Sequence, residues 1–216
     1  MIAQIVKRIL DAVLACAGLL LLSPVLVVIA LAIRLNSPGP ILFRQYRLGR
    51  GGVPFRIAKF RTMHQNAIDI RNADGSTCSD ADDPRVTELG RFLRRSSLDE
   101  LPQLWNVICG EMSLVGPRPD QVDQLRHYTA AEKRKLAVRP GITGLAQIGG
   151  RNRIHWETRK QLDCEYVERW SLWLDLSILI KTIPYALLGK DIHEAPYADD
   201  PDSQPKRYVR SSGLER

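Results

Sequence analysis

Ala12-Val13-Leu14-Ala15-Cys16-Ala17-Gly18-Leu19-Leu20-Leu21-Leu22-Ser23-Pro24-Val25-Leu26-Val27-Val28-Ile29-Ala30-Leu31-Ala32-Ile33 is a run of 22 residues without one charged side chain. At about 1.5 Å per residue, a straight helix of this length spans about 33 Å, enough to cross the hydrocarbon core of a bilayer. Ser23-Pro24 falls at its middle, where proline removes a backbone donor, crowds the preceding turn and bends the helix. Cations flank both ends, Lys7 and Arg8 before the run and Arg34, Arg44, Arg47 and Arg50 after it. If positive charge marks the cytoplasmic side, both ends belong there, and the helix dips into the membrane, turns at Ser23-Pro24 and returns. On these residues alone, a single-pass helix kinked by proline fits equally well. A cleaved leader fits less well, because the apolar stretch before Ala30-Leu31-Ala32 exceeds the usual ~7–15 residues. A soluble core helix would carry a polar face, which Leu19 to Leu22 and Val25 to Ile29 lack. Asp11 sits at the lip of the run, three and four residues from Arg8 and Lys7. Local pairing with those cations accounts for a carboxylate there.

The 216 residues, less about 35 for the membrane segment, leave chain for one globular domain. The expected division is an anchor at 1–36, a cytosolic domain at 37–190 and a polar tail at 191–216. Net charge is +7, unevenly placed: Ala12 to Ile68 holds no acidic residue but seven basic ones, Arg34, Arg44, Arg47, Arg50, Arg56, Lys59 and Arg61. A basic stretch directly after a membrane segment suits anionic headgroups or a phosphorylated substrate at the surface. No nucleic-acid motif accompanies the charge, so nucleic acid is not an expected partner. Cys16, Cys78, Cys109 and Cys164 have neither CxxC nor ladder spacing, which fits a reduced domain facing the cytosol.

Ile41 to Arg47 and Val53 to Phe60 read as the arms of a β-hairpin around Leu48-Gly49-Arg50-Gly51-Gly52. Asp69 to Pro84 reads as an exposed polar loop. Helices are expected over 85–95, 99–107, 121–136 and 156–169, with rigid loops at Gly116-Pro117-Arg118-Pro119 and Arg139-Pro140-Gly141-Ile142-Thr143-Gly144. Ser171 to Leu188, apolar but interrupted by Asp175 and Lys181, suits either a helix lying in the bilayer surface or an amphipathic core helix. The expected fold is α+β and mostly helical: a membrane helix, a short β-hairpin and interfacial helices around a small catalytic domain.

The chemistry centres on Arg91-Phe92-Leu93-Arg94-Arg95-Ser96-Ser97-Leu98-Asp99-Glu100-Leu101-Pro102-Gln103-Leu104. An Asp-Glu pair opening a helix ordinarily complements the helix dipole and nothing more. Here Arg91, Arg94 and Arg95 precede it and arginine-bearing loops follow. Cations around carboxylates suit a substrate with several phosphate charges, on which the acid acts as nucleophile or metal ligand. A carboxylate approaching a diphosphate meets repulsion that arginines and a divalent cation would neutralise.

Seven motifs occur in order: Lys7-Arg8 with Asp11, Ser23-Pro24, Lys59-Phe60-Arg61-Thr62-Met63, Ser97 to Leu104, Gly116 to Pro119, Arg139 to Gly144, and Gly150-Arg151-Asn152. With these, residues 5 to 190 resemble the small bacterial sugar transferases, the monotopic polyprenyl-phosphate phosphoglycosyl transferases of the PglC-like kind. Larger members carry extra N-terminal membrane helices, so this chain resembles a minimal form. The resemblance implies a re-entrant hairpin at Ser23-Pro24, in the bacterial inner membrane, with the catalytic domain facing the cytoplasm. It implies transfer of a sugar 1-phosphate from a UDP-sugar to polyprenyl (undecaprenyl) phosphate with release of UMP, through a covalent aspartyl phosphosugar and with Mg²⁺. Such a step opens glycan or polysaccharide assembly.

Placed on this sequence, the resemblance makes Asp99 the nucleophile and a Mg²⁺ contact, and Glu100 its dyad partner. Lys59, Arg94, Arg118 and Asp163 match polar positions around the site, with Asp163 a candidate metal or substrate contact. Arg139, Gln147 and Arg151 match motifs expected to line the nucleotide-sugar pocket. Leu145 and Gly149 stand where a common family form has Trp and Asn, which bears on the sugar. Gly150-Arg151-Asn152 and Trp156 lean toward an N-acetylated amino sugar over glucose or galactose. Two other classes compete: a membrane glycosyl transferase releasing UDP, and a non-catalytic adaptor binding acidic partners through Arg34 to Arg61.

Overall fold

The computed structural model describes residues 2–68, 70–71, 83–149, 156–188 and 208–209. Helix α1 covers Ile2–Asn36. Strands β1 (Leu42–Leu48) and β2 (Pro54–Phe60) form the expected antiparallel hairpin, with Leu42 opposite Phe60 and Leu48 opposite Pro54. β3 (Ile70–Arg71) pairs with β6 (Tyr208–Val209) near the end of the chain. Helices α2 (Glu88–Arg95) and α3 (Gln103–Cys109) follow, then β4 (Ser113–Val115), β5 (Gly141–Thr143), α4 (Leu145–Ile148), α5 (Trp156–Arg169) and α6 (Leu172–Leu188). The architecture is α+β and mostly helical.

α1 continues as helix through Pro24, so no turn separates two arms. Pro24 has no N–H to give the carbonyl of Leu20, and the Ser23 hydroxyl donates to that oxygen instead, at 2.8 Å. The carbonyl stays satisfied and the helix persists past the proline. Both ends of α1 rest on the same folded body. Near its start, Ala15 packs with Phe55, Ile57, Val107 and Met112. Near its end, Ile29 and Ile33 pack with Phe60 and Leu93. Between these seats Leu20, Leu21, Val27 and Val28 are exposed.

Polar groups fix the first seat. Lys7 Nζ reaches Asp175 Oδ2 at 2.6 Å and the Val115 carbonyl at 3.1 Å. Arg8 donates to the carbonyls of Val107 and Ile108 at 2.6 and 2.8 Å. Asp11 accepts from the Ser113 hydroxyl at 2.7 Å and the Leu114 N–H at 3.1 Å. The carboxylate at the lip is thus held mainly by β4, with Lys7 3.8 Å away. At the far end Arg61 donates to the carbonyls of Ser37 and Pro38.

Further stretches also differ from the sequence expectation. Residues 121–136 do not form one helix; 3₁₀ turns span Val122–His127 and Glu132–Ala137. Thr129 and Glu132 form a reciprocal capping box, Glu132 N–H to Thr129 Oγ1 at 3.2 Å and Thr129 N–H to Glu132 Oε2 at 2.7 Å, which starts a new helical turn. The two rigid loops also continue a pair of strands: β4 and β5 run parallel, and Gly116 N–H donates to Thr143 O at 2.9 Å. A Cβ on Gly141 would meet Gly116 N at 2.1 Å, so this approach requires glycine. α6 exposes Trp173, Leu176, Ile180 and Ile183 while burying Asp175 and Ile178, the one-sided apolar face of a surface helix.

Candidate active site

The Asp-Glu pair sits in a 3₁₀ turn, Leu98–Glu100, ahead of α3. Ser97 enters it at φ 56°, in the left-handed region, and Pro102 precedes α3. Expected as one helix over 99–107, the segment is split into this 3₁₀ turn and α3, with Leu101 and Pro102 between them in right-handed helical conformation. Leu98 anchors it by packing beside Leu93 and Phe60.

α3 is locked onto β2 by one side chain. Asn106 accepts from the Ala58 N–H and donates to the Arg56 carbonyl, both at 2.9 Å, imitating a third strand. That register brings Lys59 of β2 over the turn, with Nζ 2.6 Å from Glu100 Oε1. α2 arrives from another direction. Thr87 caps it by accepting from the Gly90 N–H at 2.9 Å, and Gly90 lies so close to the Thr62 carbonyl that a Cβ would sit 2.0 Å from it. Arg94, in the last turn of α2, donates through Nε to Thr62 Oγ1 at 2.9 Å. Arg118 comes from the loop after β4, with Nη2 3.5 Å from Glu100 Oε1.

Asp99 is 9% exposed, and its carboxylate has no hydrogen bond or ion pair among the described residues. Burial raises its pKa to about 6; Glu100 adds to the rise while Lys59, Arg94 and Arg118 oppose it. Burial lowers the pKa of Arg94, which Asp99 in turn supports. The result is an unpartnered carboxylate facing three cations, with a neighbouring carboxylate already neutralised. Such a group can attack an electrophilic phosphorus or bind a cation carried in with it.

Among the described residues no three His, Cys, Asp or Glu side chains form a metal cluster. Mg²⁺ ordinarily needs only one or two carboxylates, taking its other ligands from water and substrate phosphates. The free carboxylate of Asp99 fits that role.

The other expected site residues separate. Asp163 is 1% exposed and lies beneath the site, with Oδ2 2.5 Å from Lys135 Nζ and Oδ1 3.3 Å from the Arg118 backbone N–H. It holds the Arg118 loop from below. Lys135 also reaches Asp120 at 2.7 Å, and Tyr128 donates to Asp120. Burial alone would depress the Lys135 pKa, but Asp120 and Asp163 outweigh it and hold the ammonium charged. Arg139 lies at the other end of α3, donating to the Gly110 carbonyl at 2.8 Å. Gln147 is buried in α4 with neither amide atom partnered among the described residues. Arg151 and its neighbours Gly150 and Asn152 lie outside the described residues. Asn106 and Lys135 are not singled out by the sequence, and Thr62 only as part of the motif Lys59 to Met63; the signal for Asn106 is a polar residue within the apolar run Leu104 to Ile108.

The sequence matches the bacterial sugar transferase family over residues 2–189, and the chain belongs to that family. It is 46% identical to the UDP-glucose:undecaprenyl-phosphate glucose-1-phosphate transferase of Caulobacter vibrioides, covering 84% of this chain and 69% of that protein. It is 46% identical to the protein of the same name from Escherichia coli, covering 87% of this chain and 41% of the relative. With the galactosyl transferase CpsE of Streptococcus agalactiae, identity is 43%, covering 86% of this chain and 43% of the relative. The chain thus spans less than half the length of two of these relatives.

Proposed function

We propose that this chain is a phosphoglycosyl transferase that moves a sugar 1-phosphate from a UDP-sugar to polyprenyl phosphate. One observation carries the reading: Asp99 is a buried carboxylate with no partner among the described residues, under the influence of Lys59, Arg94 and Arg118 and beside a Glu100 already paired. In the first step an Asp99 oxygen attacks the β-phosphorus of the UDP-sugar. The bond from that phosphorus to the bridging oxygen breaks, UMP leaves with the electron pair, and a sugar-phosphoryl ester remains on Asp99. In the second step a polyprenyl phosphate oxygen attacks the same phosphorus, the acyl–phosphate bond breaks, and the Asp99 carboxylate is restored with polyprenyl-diphosphate-sugar as product. Arg118 and Arg94 offset the charge that gathers on the phosphoryl oxygens, while Lys59 keeps Glu100 oriented. Mg²⁺, held by Asp99 with the diphosphate, would supply further charge neutralisation.

α1 fits the same proposal as a re-entrant anchor. A helix along the bilayer normal would carry its ends about 30 Å apart across the core. Here both ends pack on the domain that bears Asp99, leaving the apolar middle for lipid. The domain then lies on the cytoplasmic face of the inner membrane, where UDP-sugar and lipid acceptor meet.

The names of the relatives carry glucose and galactose, so UDP-glucose and UDP-galactose replace an N-acetylated amino sugar as the first donors to test. The experiment is a nucleotide assay with each UDP-sugar, polyprenyl phosphate and Mg²⁺. UMP as the released nucleotide, with a radiolabelled sugar-phosphoryl protein adduct lost in Asp99→Asn, is the expected result. UDP release would favour simple glycosyl transfer, and no release with any donor would favour an adaptor.

A further inference from the structure

A cluster of cations lies at the opposite end of α3 from Asp99. Lys7, Arg8, Arg50, Arg139, Asp11 and Trp170 line a small cleft of about 50 Å³ that opens to solvent. Lys7 is matched by Asp11 and Asp175. The three guanidinium groups have only backbone carbonyls: Arg8 on Val107 and Ile108, Arg50 on Ala137 at 3.1 Å, Arg139 on Gly110. None of the three has a carboxylate partner among the described residues. Burial lowers the pKa of Arg139, with Arg8 and Arg50 adding to the fall and Asp11 opposing it. The cleft thus carries more positive than negative charge and holds guanidinium N–H groups that no acceptor among the described residues uses.

Its surroundings select the ligand. Ile2, Ile5, Ile9 and Leu10 of α1 and Trp173 and Leu176 of α6 are exposed apolar side chains on the two helices joined by Lys7–Asp175. Faces of this kind sit at the boundary of headgroups and acyl chains. A guanidinium cluster beside the first turns of α1 meets phosphate at that depth, and guanidinium binds phosphate oxygens through paired N–H donors. α3 is seven residues long, about 10 Å at 1.5 Å per residue. A phosphate in the cleft is therefore out of reach of Asp99 and is not the reacting acceptor.

We propose that this cleft binds the phosphate of an anionic membrane phospholipid, fixing the seating of α1 and α6 on the domain. Excess positive charge makes a net-anionic headgroup the preferred ligand over a zwitterionic one. The inference rests on the membrane attachment proposed above, which vesicle flotation reads separately.

The test titrates the full chain, in non-ionic detergent, with dihexanoyl phosphatidylglycerol, dihexanoyl phosphatidylcholine or inorganic phosphate, following the melting temperature. The expected result is a saturable rise with phosphatidylglycerol and little change with the other two. Arg50→Gln, which loses one exposed contact, and Arg50→Gln with Arg139→Gln should weaken the apparent affinity progressively, by about tenfold in the double variant. The single variant keeps the test decisive should the double variant not fold. An equal response to phosphatidylcholine, or an unchanged affinity in Arg50→Gln, overturns the site. An equal response to inorganic phosphate overturns the lipid as its source. A chain that floats with vesicles yet shows no phosphatidylglycerol preference sinks this inference alone.

Discussion

Lys59 Nζ stands 2.6 Å from Glu100 Oε1 and is also the cation that most opposes the raised pKa of Asp99. One ammonium group thus neutralises one carboxylate of the dyad and tunes the other. Lys59→Met should move the Asp99 pKa above its value of about 6. The acid limb of the pH–rate profile for UMP release shifts upward with it, and kcat/KM at pH 7 falls by about a hundredfold. Glu100→Gln removes a neighbouring negative charge, so its acid limb should move downward even as the rate drops. Limbs moving in the same direction in both variants would refute the electrostatic roles assigned here.

In the unmodified chain the nucleophile must be ionised. UMP release should therefore decline about tenfold per pH unit below about 6. A profile flat down to pH 4.5 would argue against a buried carboxylate as the attacking group.

Holding that charge in the fold has a cost with a defined sign. A carboxyl raised from 3.8 to about 6 favours the unfolded state wherever the folded group must ionise. The cost is absent below pH 3.8, grows between 3.8 and 6, and is complete above 6. At about 1.4 kcal/mol per pKa unit it reaches about 3 kcal/mol. Asp99→Asn should accordingly raise the melting temperature at pH 7.5 while abolishing turnover, and the gain should vanish near pH 4. A loss of stability at pH 7.5 would show that Asp99 is held by contacts other than those described.

Beneath Arg118, Lys135 is shared between Asp120 and Asp163, all three almost fully buried. Lys135→Met strands two carboxylates, and Asp163→Asn leaves the lysine one partner. Breaking a buried pair costs about 3–5 kcal/mol. Urea unfolding should rank Lys135→Met as the more damaging of the two. Asp163→Asn, which also weakens the acceptor for the Arg118 N–H, should lower kcat more than it changes nucleotide KM.

The hairpin, the polar dyad motif and the apolar helix were legible because each is written locally, in period-two alternation, turn residues or an uninterrupted apolar run. The convergence of Lys59, Arg94 and Arg118 on Asp99 was legible only through a family resemblance. Its physical agents act across 32 and 48 residues, Thr62 on Arg94 and Asn106 on Ala58. Asp163 and Lys135 carried no local sign of burial, because a charged pair in a polar stretch reads as surface until the fold encloses it. The 121–136 stretch misled for the opposite reason: Thr129 and Glu132 are a capping box, a helix start set inside what composition reads as one helix.

Ser23 and Leu20 give the last test. The Ser23 hydroxyl serves the carbonyl that Pro24 leaves unpaired, at 2.8 Å, so Ser23→Ala with Pro24→Ala restores an ordinary helix ladder and removes any tendency to bend. The 22 apolar residues then favour crossing the bilayer, against the tethers Lys7–Asp175 and Arg8–Val107 that hold the first turns on the domain. A cysteine at Ile2, in a chain with Cys16, Cys78, Cys109 and Cys164 replaced by alanine, reports the outcome. With Ser23-Pro24 intact, a membrane-impermeant maleimide should label that cysteine in inside-out vesicles but not in spheroplasts. In the double alanine variant a fraction should become labelled in spheroplasts, and transferase activity should fall by the same fraction because Lys7 has left Asp175. Labelling in spheroplasts with Ser23-Pro24 intact would reject the same-side arrangement of the two ends.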